Sequence, residues 1–300
     1  MIAPSSKAPI ASKLIAALDK HRKQKVVDLD AWKTGVEQAR GVIEGMRPSG
    51  DDLSPGFAAY IAVSNWALGL VETIQGLPEL RRFIDRIERA EEEYMPSGPP
   101  MSPLTRSFFW NWALWDLGVG VKHETLGSIL LAVGRHLEME PLFLGVLERM
   151  VSSRLGLHVH EGHKNGCPVL RDLVGGTAQT CEWPSGYAGK AGELWLTRVL
   201  PPPGPALSDA VVLTTPYVIL APGIRDWRAY LDRALAKLPA DDATAAYARL
   251  MKRGLDERYW CEYAFEAYAG DVPEAIFLRG LPDVAESRPH SSTADSLHLA

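Results

Sequence analysis

The sequence predicts an α+β protein that is mainly helical: a helical bundle with a small mid-chain antiparallel β-module and a helical C-terminal segment. Three observations carry this. Apolar residues recur every three or four positions over most of residues 10–151, the spacing of a helix face. At Ser152 the pattern changes to short alternating or β-branched pieces separated by glycine or proline. Helical spacing resumes at about residue 225. The division that follows is an N-terminal helical region at 1–98, an aromatic-rich helical region at 99–151, the β-module at 152–222, C-terminal helices at 223–284 and a tail at 285–300.

In chain order, residues 10–24 and 29–46 read as amphipathic helices, the second with Trp32, Val36, Ala39 and Ile43 on one face and Asp28 or Asp30 as its cap. MRPSGDDLSPG breaks the periodicity. A mostly apolar helix follows at 55–75. The next helix sets Leu80, Phe83, Ile87 and Tyr94 against a charged face of Arg81, Arg82, Glu88, Glu91 and Glu92. PSGPPMSP marks a boundary or hinge near 96–103. SFFWNWALW should form a buried helix, followed by HETLGSILLAVGRHL and EMEPLFLGVLERM. LGLHVHE, VLRDLVGG, TAQTCEWP, ELWLTRVLP and AVVLTTPYVILAP read as strands of a small curled sheet or open barrel. DWRAYLDRALAKL, capped by Asp226, then DATAAYARLMKRG and ERYWCEYAFEAYAG, read as helices. AESRPHSSTADSLHLA lacks a dense apolar face.

Composition narrows the class of partner. A net charge of -5 argues against a protein whose main task is gripping phosphate backbones. The densest basic group, Lys20, Arg22, Lys23 and Lys25, precedes Asp28 and Asp30 and reads as a solvated helix end. Between 151 and 222 the charges balance, so the module is no electrostatic trap for DNA. Cys167, Cys181 and Cys261 are too few for a disulfide framework and suit a reducing compartment. The N-terminus lacks an export signal, and no uninterrupted apolar stretch reaches bilayer length; cytoplasmic residence without a membrane is the expectation.

Residues 152–200 also carry a likeness. SSRLGLHVHEG, VLRDLVGG and GELWLTRVLP pair Ser153 with Gly156, Leu170-Arg171-Asp172-Leu173 with Gly175, and Gly192-Glu193 with Arg198-Val199-Leu200-Pro201. With the upstream SPLTRSFFWNWALWD, this arrangement resembles poorly characterised bacterial proteins related to SEC-C-containing proteins. The resemblance covers residues 80–222. It implies a helical part with an aromatic segment ahead of a β-module, and no particular reaction. The Cys-rich SEC-C tail is absent, because the final 39 residues contain no cysteine. A zinc or partner role tied to that tail is not implied.

LHVHEGHKNGCP is the sharpest chemical feature. His158, His160, His163, Cys167 and Cys181 supply donors that zinc accepts. On a strand, His158 and His160 share a face, and a turn through Gly162 brings His163 near. Glu161, the nearest base, would face the other way. The spacing matches no specific zinc motif, and wet-face histidines beside buried cysteines are the simpler account. His123-Glu124 and His136-Glu138-Glu140 read as helix-surface pairs, with Glu140 one turn beyond His136, and there is no HExxH. Cys261, among aromatic rings, reads as core rather than nucleophile. GVGVKH and LVGGTAQT lack phosphate-loop spacing.

Three functions remain open on the sequence. The leading one is a non-catalytic binding or accessory protein recognising a protein or peptide partner, with Trp183, Tyr187, Trp195 and the loop at 162–168 as contact groups. The second is a metal-dependent hydrolytic enzyme with a His/Cys zinc site and Glu161 as base. The third is single-stranded nucleic-acid binding through the β-module.

Overall fold

The computed structural model describes residues 8–23, 54–95, 102–204, 208–239 and 242–289. The helix expected over 29–46 with its cap, the break at 46–53, most of the 96–103 boundary and the tail beyond 289 lie outside these residues. So do the side chains of Arg22, Lys23 and Lys25. The helices are α1 Pro9–Lys23, α2 Pro55–Ile74, α3 Arg81–Tyr94, α4 Arg106–Asn111, α5 Leu126–His136, α6 Pro141–Ser152, α7 Ile224–Leu235, α8 Ala243–Arg253 and α9 Tyr259–Glu266. The strands are β1 Gly156–Lys164, β2 Cys167–Asp172, β3 Ala178–Glu182, β4 Leu194–Thr197, β5 Val199–Leu200, β6 Ala210–Val212, β7 Tyr217–Ala221, β8 Tyr268–Val272 and β9 Ala275–Arg279. The chain forms two compact units. One comprises Met1–Ala90, Trp112–Ser153 and Pro201–Ser208, the other Glu91–Asn111, Arg154–Leu200 and Asp209–Ala300.

The first unit is helical, and its helices start where the sequence supplies caps. Ser54 accepts the Phe57 N–H ahead of α2, with Pro55 at the first helical position. Thr125 and Ser128 exchange hydrogen bonds in a capping box at α5. The Glu140 carboxylate caps α6 by accepting the Phe143 N–H at 2.8 Å. Glu140 therefore serves its own helix rather than pairing with His136, which instead meets Asp19 of α1 at 3.1 Å. Trp112–Asp116 is a single π-helical turn closed by Leu117 N–H to the Trp112 carbonyl. Trp115 there is buried flat against Gly127, where a Cβ would stand 2.3 Å from its ring. α2 is long and apolar enough, by length and composition alone, to cross a bilayer; it buries Tyr60, Val63, Ala67, Leu70 and Ile74 within this unit.

The second unit holds a nine-stranded sheet in the order β5-β6-β3-β2-β1-β4-β7-β9-β8. This overturns the expected fold. The sheet is no small antiparallel module attached to a mainly helical bundle: it is large and mixed, with parallel pairing at β3·β6 and β7·β9. Part of the enlargement comes from the hairpin β8–β9, which lies in a stretch expected to be wholly helical. ERYWCEYAFEAYAG keeps helical spacing only to Glu266; strand pairing begins at Tyr268. Parallel pairing of β7 with β9 requires a long crossover, and α7, α8 and α9 provide it. α7 itself starts at Ile224 behind Gly223, with Asp226 in its first turn rather than at the cap.

Both ends of the sheet are blunted. β5 is two residues long and runs into Pro201-Pro202-Pro203, which lack N–H donors. β8 carries a register shift at Gly270, whose φ is 146°, and the exposed Asp271. These are the devices by which natural edge strands resist further pairing. One sheet face gathers Leu170, Cys181, Trp195, Ala210, Val212, Val218 and Ala275 into a core, so residues from strands far apart in the order converge. Elsewhere, Tyr217 of β7 anchors the segment before α4: its hydroxyl accepts the Thr105 N–H at 2.9 Å and donates to the Pro103 carbonyl at 3.1 Å.

Candidate functional site

Several of the residues singled out by sequence lie on the converging face of the sheet. β1 places Gly156, His158 and His160 on this side by simple alternation. A register shift between His160 and His163 inserts an extra residue, so His163 returns to the side of His160, with their ring centroids 4.9 Å apart. Gly162, at φ 107°, makes that shift sterically easy.

His160 is fully buried and has both ring nitrogens committed. Nδ1 accepts the Gly162 N–H at 3.0 Å, which leaves Nε2 as the protonated nitrogen, donating to the Ala188 carbonyl at 3.1 Å. Burial lowers its pKa, and the neighbouring His163 adds to the lowering. His158 lies two residues back, opposite Asp172 on β2 and Trp195 on β4. Burial pushes its imidazole down to about 4; the Asp172 carboxylate works against this and the Arg154 guanidinium with it. Asp172 accepts the backbone N–H groups of Val174 and Gly175 on Oδ1 and Arg154 Nη2 at 3.2 Å on Oδ2. Arg154 lies 4.5 Å above the Tyr247 ring. Burial raises the Asp172 pKa, but these hydrogen bonds and the nearby positive groups outweigh it, so the carboxyl is held below its usual range.

Cys181 shares the histidines' face but stands on β3, with β2 between it and β1, and Cys167 lies on the opposite face. Strand alternation sets Cys181 on the core side with Leu170 and puts Cys167, three residues before Leu170, on the other. Burial raises both thiols, Cys181 to about 12, and the acidic Asp209 contributes at each. Zinc needs thiolates and free imidazole lone pairs; His160 has no free lone pair and Cys181 resists ionisation. Glu161 is exposed and forms a two-point ion pair with Arg171 at 2.6 and 3.0 Å, away from the histidines. Among the described residues, no group of three or more His, Cys, Asp or Glu side chains is arranged to hold a metal ion.

The aromatic residues divide sharply. Trp195 is completely buried and belongs to the core, so it offers no contact surface. The loop 183–193 between β3 and β4 folds across it. Tyr187 is half-buried and packs on Trp195 and Phe277, with centroids 5.7 and 6.1 Å away. Glu193 fixes both rings, accepting Trp195 Nε1 at 3.0 Å and the Tyr187 hydroxyl at 3.2 Å. Gly189, at φ 68°, passes so close that a Cβ would stand 2.4 Å from the Trp195 ring. A Cβ added at Gly186 would stand 3.8 Å from Glu274 of the β8–β9 turn, and the Tyr187 ring packs on Phe277 of β9, so the loop reaches across the sheet face. Trp183, at the start of the loop, is half-buried with its ring 6.4 Å from that of the exposed His163. Beside them is the exposed β1–β2 turn Asn165-Gly166, both residues at positive φ.

Sequence reasoning missed Glu193 as the tie beneath the loop, Arg154 and Asp172 as the charged neighbours of His158, and Tyr247 as the ring beneath Arg154. The glycine spacing in SGYAGKAGE was the available signal for a loop that hugs other groups. Nothing in sequence spacing links residue 247 to residue 154. Comparison of the chain with models of protein families, with curated proteins and with solved structures gives no match.

Proposed function

We propose that this protein is a non-catalytic binding protein that recognises a protein or peptide partner through the second unit. The contact surface in this reading is the rim made by Trp183, His163 and the β1–β2 turn, with Tyr187 as a half-buried flank. One observation carries the reading: a half-buried indole beside an exposed imidazole, both mounted on a sheet whose core pins the supporting loop at Glu193 and His160. Such a ring contributes a large apolar area with little side-chain entropy to lose, as anchor residues of interfaces do. The groups that could perform chemistry nearby are engaged with one another: His160 with two backbone groups, Asp172 with Arg154, and Glu193 with two aromatic rings. That favours recognition over catalysis.

A random-peptide display selection against the full chain tests this. Selected peptides should bind with saturable affinity, and Trp183→Ala should weaken them at least tenfold while far-UV circular dichroism stays unchanged. Peptides that bind Trp183→Ala as well as the unaltered chain would defeat the proposed surface.

A further inference from the structure

His163 stands beside Trp183 because β1 carries one residue too many. His160 pairs with Leu170 and His163 with Pro168, so two residues of β1 lie against the single Val169 of β2. Without the extra residue, strict alternation would turn His163 to the face opposite His160 and away from Trp183. A side chain of the same strand closes this bulge: the Gly162 N–H donates to His160 Nδ1 at 3.0 Å. A backbone amide can only donate, so Nδ1 is the bare nitrogen and the ring is neutral. The proton sits on Nε2, which donates to the Ala188 carbonyl at 3.1 Å.

The ring has no room to change partners. Its centroid lies 4.9 Å from that of His163 and 5.0 Å from that of Trp195, and a Cβ at Gly189 would stand 3.1 Å from its Cδ2. Turning it over would take Nδ1 from Gly162 and Nε2 from Ala188 together. Protonating Nδ1 therefore sets two N–H donors against each other at the bulge, and their contact is lost. We propose, on the recognition reading above, that His160 is the positioning residue of the rim: its neutral ring holds the Gly162 bulge that sets His163 beside Trp183, and its protonation releases the bulge and switches recognition off. His158 and His163 share its face of β1, Glu193 stands ahead of β4, and Lys190 is the charged residue of the covering loop. β2 opposes the ring with Leu170, which does not titrate. Burial lowers the His160 pKa most, and His163 adds to this; the Ala188 carbonyl and the Glu193 carboxylate oppose it without overcoming it. The neutral ring thus prevails at pH 7, and the switch operates below the ordinary histidine range.

Magnetic resonance of the isotope-labelled full chain tests the device without a partner. Between pH 7.5 and 4 the Gly162 amide proton should lose its hydrogen-bonded downfield shift with the same midpoint as the His160 ring. In His160→Asn, whose side-chain oxygen replaces Nδ1 but does not titrate, that amide should stay in place. A Gly162 amide indifferent to the His160 titration overturns the proposal. Because acid also titrates His158, rescue at pH 7.5 gives a second reading. The probe is a fluorescein-labelled peptide selected on the unaltered chain and weakened by Trp183→Ala. His160→Gln keeps the donor to Ala188 but loses the acceptor for Gly162, and should weaken this peptide at least tenfold; His160→Asn should stay within about threefold. The reverse order would assign positioning to the Ala188 contact and overturn the proposal. If no such peptide is selected, the recognition reading fails by itself, and the Gly162 titration still decides whether His160 closes the bulge.

Discussion

Glu193 accepts the indole N–H of Trp195 at 3.0 Å from only two residues away, and the same carboxylate takes the Tyr187 hydroxyl. A single side chain therefore satisfies the polar atom of a completely buried ring and fastens the loop that covers it. Glu193→Ala should destabilise the unit by about 2–3 kcal/mol, because a buried indole donor and a phenol lose their acceptor. Glu193→Gln keeps an acceptor and should cost about 1 kcal/mol. Urea unfolding followed by circular dichroism, with hydrogen exchange at residues 188–193, measures both; an alanine variant as stable as the unaltered chain would refute the tie.

Acid should weaken the second unit in two stages. His158 titrates at about 4 in the folded protein against about 6.5 in the unfolded chain. The unfolded chain therefore binds more protons between those values. The stability conferred by neutral His158 is complete above pH 6.5 and is lost as pH falls towards 4. The folded-state pKa of Asp172 is also lowered, so its contribution is lost at still lower pH, as the carboxyl protonates in the folded state. Melts at intervals between pH 7.5 and 4 should fall in Tm over this window, and His158→Gln should flatten the slope above pH 4. An unchanged slope in that variant would rule out His158 as the titrating group.

Two glycines in the covering loop separate strain from collision. Gly189 and Gly192 both hold positive φ, but an added Cβ meets Trp195 at the first and nothing within 4 Å at the second. Gly192→Ala should cost about 1–2 kcal/mol for the left-handed backbone alone. Gly189→Ala should cost about 1–3 kcal/mol more, from the clash against a close-packed ring. Equal losses in the two variants, read by chemical denaturation, would show that the loop does not bear on Trp195.

How much of this was legible depends on whether the signal was local. Alternation in LHVHE and the β-branched run in AVVL lie where β1 and β6 form, because side-chain period is a property of the segment itself. The size of the sheet was not legible. AIFLR is a run of four apolar residues ended by Arg279 that suits a strand or a helix end equally, and only its pairing with β7, far back in the chain, decides. At the candidate site, the sequence brings His163 near His160 by a turn through Gly162, whereas the structure does so inside β1, by an extra residue at a register shift. Trp183 and Trp195 look alike as letters, yet one is half-buried and the other sealed, a difference set by the loop folding back over the sheet.

The pairing of β7 with β9 also orders events during synthesis. β7 is complete at residue 221, but its neighbour on that side is not made until residue 279. A ribosome-bound chain carrying everything up to α9 exposes a hydrophobic strand, YVILA, with one row of backbone groups open to any extended segment nearby. Termination between those points leaves that edge of β7 open, and β9 is the strand that closes it.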